Sequence, residues 1–269
     1  IRDSSIFNIS SLICFFLILI IGVSHGSLDH EKGRKLFKIF NINSISIFYI
    51  SYIAISILVV AIWIFIPSIS LIIFLLVASY HFGKEDTQFL TSKISIFNQI
   101  LFFFKGLLII LAPMFFNFDD TVLIFKLILV DNENFYLTLD FIESNKILPV
   151  LIVLSTLSSI YLFLKEFNLN KFSIFLDYFS ILILNYYLSP LVAFTMYFCF
   201  LHSVRHSMSL IYEIDNQDFS NGIKIFIKKA IPLTILTGIF CLIGLYLLNN
   251  TFNLDLSLIH ISEPTRQLA

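Results

Sequence analysis

SISIFYISYIAISILVVAIWIFI, residues 44–66, runs without a single charged side chain. About 20 apolar residues rising 1.5 Å each cross the ~30 Å hydrocarbon core of a bilayer, so this stretch reads as a membrane-spanning helix. The same pattern recurs along the chain. Hydropathy predicts eight helices, at roughly 6–24, 44–66, 68–82, 95–116, 147–164, 172–188, 191–212 and 225–248. Composition agrees: the chain has 269 residues, 58% hydrophobic, 13% charged, with mean hydropathy +0.93. Soluble domains carry about 25% charged residues. The expected fold is all-α, an integral membrane bundle of about eight transmembrane helices forming one polytopic domain over residues 1–255.

Several classes are set aside by composition. Net charge is −1, with no basic patch or stripe, which gives nucleic acid nothing to bind. Cys14, Cys199 and Cys241 are widely spaced in apolar runs, form no CxxC pair, and read as buried free thiols. The first apolar segment has neither a basic leader nor a small-residue cleavage site, so it reads as a retained helix. The 32 phenylalanines accompany abundant Ile, Asn, Lys and Ser, as an AT-rich genome would produce, and carry no functional weight. LSLIHISEPTR at 256–266 resembles the translation of a sequencing-library adapter. Residues 256–269 are therefore expected to be a non-native tail, His260 is left out of the site, and the natural chain is expected to continue past Asp255.

Pro67 and Ser189-Pro190 mark tight turns between neighbouring helices. Residues 121–142 are rich in Leu, Ile and Phe but carry acids, which suits the membrane surface better than a span. Lysine and arginine set the orientation. Lys32, Arg34, Lys35 and Lys38 follow the first helix; Lys84 and Lys93 follow the third; Lys165 and Lys171 follow the fifth; Lys224, Lys228 and Lys229 follow the seventh. The positive-inside rule puts those loops in the cytoplasm and the N-terminus outside, in a multi-pass protein of the cell membrane.

Helices one, three and seven then run inward, and four histidines gather at one level. His25 ends the first helix, His81 the third, and His202 and His206 lie near the end of the seventh. Ionisable side chains are expensive inside a membrane and mark functional sites there by default. His202 and His206 stand four apart, on one face of an α-helix, with Cβ atoms about 5–6 Å apart. A metal site and a packed or interfacial pair both fit that spacing.

In YHFGKED, 80–86, Gly83 is expected to break the helix, and Glu85 or Asp86 could hold the His81 ring in one tautomer. In GVSHGSLDH, 22–30, Asp29 could do the same for His25, while His30 sits further into the basic loop. Lys105, deep in the fourth helix, and Asp177, in the sixth, are candidates for a structural ion pair.

GVSHGSLDH at 22–30, HFGKED at 81–86, the helix from Lys105-Gly106 to Pro113, and HSVRH at 202–206 together resemble the Brp/Blh family of membrane β-carotene 15,15′-dioxygenases. The motifs occur in family order and at comparable spacing across helices one to seven. Two departures stand out: Ser24 occupies a position where the family often has proline, and a late histidine motif common in the family is missing. The resemblance implies a non-haem Fe(2+) held by His25, His81, His202 and His206, with Asp29, His30, Glu85, Asp86 and Lys105 as neighbours. It implies β-carotene and O₂ as substrates, retinal as product, and a retinal-binding rhodopsin as a functional partner. Rival readings are a di-iron or haem membrane oxidoreductase and a proton-coupled transporter using Lys105, Asp177 and the histidines as a relay.

Overall fold

The computed structural model describes residues 11–22, 33, 37–40, 45–87, 95–128, 132–165, 167 and 169–252. His25, Asp29, His30, His260 and the 256–269 tail lie outside these residues. The described chain is helical, with no strand. Helix α1 is Ser11–Leu17, continued by a π-helical turn, Ile18–Gly22. Then follow α2 Ile45–Phe65, α3 Pro67–Glu85, α4 Ile96–Phe116, α5 Phe118–Leu127, α6 Glu133–Ser144, α7 Ile147–Leu164 and α8 Phe172–Tyr187. Next is a run of α9 Pro190–Met196, a π-helical stretch Tyr197–Ser203, and α10 Val204–Ile214; α11, Phe219–Phe252, ends the order.

Each expected apolar helix has a counterpart among the described residues, and five of those described are long and apolar enough to cross a membrane: those within α2, α3, α4, α7 and α11. Among the described residues Ile13–Gly22 and Phe172–Tyr187 are shorter apolar helices; the 16 residues of α8 rise only about 24 Å. The 190–214 run is divided in three, and its last piece carries Arg205, His206 and Glu213.

The chain groups into two compact units, residues 37–197 and residues 1–36 with 198–269. In the first, Leu71, Leu111, Met114, Phe125, Leu139 and Leu148 form one core. Phe125 and Leu139 belong to α5 and α6, so the 121–142 segment folds as two short helices packed on α3, α4 and α7. Asn132 starts α6 by accepting the Phe135 N–H at 3.0 Å, and Ser95 starts α4 by accepting from Asn98 N at 3.2 Å. In α2 the Trp63 indole N–H donates to the Ile128 carbonyl at 3.0 Å. None of the apolar window of α2 is buried within the protein. An apolar surface of that extent would be a large liability in water, and lipid is its natural solvent.

In the other unit Leu210, Ile211, Phe226 and Ala230 join α10 to α11. The turn between these helices is held by Asp215, whose carboxylate accepts from the Gln217 and Asp218 N–H groups at 3.1 and 2.9 Å and from the Asn221 amide at 2.9 Å. All three cysteines are free, with Cys14 and Cys199 buried.

Candidate metal centre

His81 lies near the end of α3. That helix runs past Gly83 to Glu85, rather than breaking at the glycine as the sequence suggested. Gly83 is spent on something else. A Cβ there would overlap the Phe102 carbonyl of α4 and stand 2.9 Å from Gly106 N; one on Gly106 would overlap the Ser79 carbonyl and stand 2.6 Å from Gly83 N. Two glycines and a serine thus let the backbones of α3 and α4 touch, the small-residue packing that membrane helices use. Asp86 caps the helix, and Thr87 donates its hydroxyl to the Gly83 carbonyl at 2.6 Å. His81 stays exposed and Glu85 half-buried, while Phe82 is buried against Phe194 and Tyr197, with ring centroids 6.4 and 5.8 Å away.

The expected Lys105–Asp177 pair is present and larger than expected. Lys105 Nζ lies 3.8 Å from Asp177 Oδ2 and 4.0 Å from Asp86 Oδ2, with all three side chains 6% exposed or less. Tyr197 donates its hydroxyl to Asp86 Oδ2 at 2.5 Å. Asp86, one of the two carboxylates expected beside His81, belongs to the Lys105 cluster. Nothing local in the sequence marks Tyr197, since a tyrosine in an aromatic-rich helix carries no signal of its own.

His202 is only 1% exposed. It sits in the π-helical stretch Tyr197–Ser203, whereas His206 is half-buried in α10. The i, i+4 spacing was read on a uniform α-helix, but the backbone changes from π to α after Ser203, between the two rings. Such π-bulges are rare and occur frequently at functional sites. The His202 ring stacks on Phe198, with centroids 5.9 Å apart and planes at 16°. Phe198 in turn fills the space at Gly22, where an added Cβ would collide with its ring. Gly22, Phe198 and His202 therefore pack in series within one unit. Among the described residues no three His, Cys, Asp or Glu side chains gather as a metal-binding group; His25 is not among those residues.

Comparison with known proteins gives this arrangement a context. The family described as Beta-carotene 15,15'-dioxygenase matches residues 16–262, nearly the whole chain. The chain belongs to the β-carotene 15,15′-dioxygenase family. A relative named "Beta-carotene 15,15'-dioxygenase", from an uncultured marine bacterium 66A03, is 26% identical over 198 residues. That alignment covers 71% of this chain and 66% of the relative, so the chain spans just under two thirds of that protein's length. No solved structure matches the chain significantly. Within this β-carotene 15,15′-dioxygenase family member, the matched segment contains all four histidines of the expected set, together with Lys105, Asp86, Asp177 and Tyr197.

Proposed function

We propose that this protein cleaves β-carotene at its central double bond with O₂, giving two molecules of retinal, at a ferrous ion held by His25, His81, His202 and His206. The observation that carries the reading is His202, a buried imidazole on a π-helical break, stacked on the ring that fills the Gly22 gap. Gly22 stands three residues before His25 in the chain. A neutral imidazole donor set suits ferrous iron. When bound, the iron supplies the ability to activate O₂ towards an alkene.

The residues themselves have three tasks. The imidazoles bind, Phe198 holds the His202 ring in one plane, and the apolar helices keep water away while admitting a lipid-dissolved C40 hydrocarbon sideways from the bilayer. Such a substrate offers no charged group to bind, so its recognition rests on apolar contact and shape. The protein is further proposed to lie in the cell membrane with its N-terminus outside and the histidines towards the cytoplasm, and to supply retinal to a rhodopsin. Lys105 and Asp177 serve in this reading as structure rather than as a transporter's relay.

The test is retinal measured by chromatography in β-carotene-producing bacteria expressing this chain or its His202→Ala form. Retinal that rises as β-carotene falls, in the parent only, is the expected result. Equal retinal from both proteins would remove His202 from the site. No retinal from either, with both present in the membrane, would reject β-carotene as substrate.

A further inference from the structure

The buried charge cluster is not needed by the chemistry just proposed, and a hydrocarbon gives it nothing to act on. It nonetheless joins four elements of one unit: Asp86 at the end of α3, Lys105 in α4, Asp177 in α8, and Tyr197 where α9 passes into the π-helical stretch. Charged groups inside a membrane protein are costly, and those retained are functional by default.

The geometry divides the work between two residues. At 3.8 and 4.0 Å from the two carboxylates, the Lys105 ammonium is beyond hydrogen-bond distance. It acts as a point charge shared by both and imposes little direction. Direction comes from Tyr197, whose hydroxyl reaches Asp86 Oδ2. Asp86 follows His81 by five residues, which turns the two side chains to different faces of α3: one exposed, the other buried. Asp86 holds the last turn of α3, which carries His81, in place beside the Gly83–Gly106 contact. Tyr197 precedes His202 by five residues in the chain, so the same hydrogen bond ties the start of the π-helical stretch.

We infer that Lys105 and Tyr197 are positioning residues, which through Asp86 and Asp177 fix the end of α3 that carries His81 and the start of the π-helical stretch that carries His202. The inference rests on reading those histidines as metal ligands. Partners that hydrogen-bond metal-binding histidines directly contribute about 10–100-fold in affinity, and a cluster acting one step further out is expected at the lower end of that range.

The experiment compares the full chain in detergent with Lys105→Met, Lys105→Arg, Tyr197→Phe and His202→Ala. The readouts are hydrogen–deuterium exchange over residues 79–87, bound ferrous iron, and kcat and KM for β-carotene. Lys105→Met is expected to speed exchange at 79–87 while 147–164 keeps its protection, to weaken iron binding about tenfold, and to lower kcat at unchanged KM. Lys105→Arg should restore most of each. Tyr197→Phe, which loses a single hydroxyl and serves if Lys105→Met does not fold, should show the same pattern more weakly. Wild-type exchange at 79–87 in both Lys105→Met and Tyr197→Phe would overturn the inference. So would exchange and iron binding that fail to recover in Lys105→Arg. Equal iron binding by the parent and His202→Ala would instead overturn the ligand assignment, and the exchange data would still decide whether the cluster holds α3.

Discussion

Gly106→Ala is the sharpest probe of how the site is held. The new Cβ would overlap the Ser79 carbonyl oxygen and stand 2.6 Å from Gly83 N, where ordinary contact begins at 3.4 Å. Both neighbours are backbone, so no side chain can swing aside, and α3 and α4 must part by roughly 1 Å or more. Overpacking typically costs about 1–3 kcal/mol, and a backbone–backbone clash belongs at the upper end, near ~3 kcal/mol. A better helix propensity for alanine returns at most about 1 kcal/mol. The expected net loss is therefore about 2 kcal/mol or more. Gly83→Ala forces the same separation, so the double variant should lose much less than the two single losses combined. Unfolding of the purified protein in mixed micelles, followed by circular dichroism, measures all three. A Gly106→Ala protein within about 0.5 kcal/mol of wild type, or strictly additive losses, would refute the close-contact argument.

Three further expectations follow from the same structure. Gly22→Ala should push the Phe198 ring off His202 and weaken ferrous iron binding several-fold with only a modest loss of stability; metal titration beside thermal unfolding checks this, and unchanged binding counts against the Gly22–Phe198–His202 series. Lys146 adopts φ 55°, in the left-handed region that favours glycine, so Lys146→Gly should stabilise by about 0.5–1 kcal/mol in micelle unfolding. Asp215 is held below the usual carboxylate range, chiefly by the Asp218 N–H, then by the Asn221 amide and the Gln217 N–H. Because the folded value is depressed, its contribution is present above the unfolded pKa of about 4 and disappears as pH falls through the folded value. Asp215→Asn should therefore flatten the acid limb of the stability profile below about pH 4 and lower stability at neutral pH.

Much of this is legible in the sequence. The α7 and α8 boundaries follow from continuous apolar runs ended by lysine or by Ser189-Pro190. The 121–142 segment was expected to stay off the spanning path because of its acids, and it forms α5 and α6. Lys105 and Asp177 were recognised as a candidate pair because a charge amid apolar residues needs a partner. Gly83 was misread as a helix break, since glycine signals flexibility and close approach with the same letter. Tyr197 was missed because its partner, Asp86, is 111 residues away.

The sequence by itself determined the apolar character of the chain and its helical elements. Those properties sum over neighbouring residues, as hydropathy along a window does. Tertiary structure decided which charges share a burial, which glycines admit a neighbouring backbone, and that His202 stands on a π-helical turn. These depend on what distant segments bring to the same place, and a buried charge or a missing Cβ takes its meaning from that partner alone.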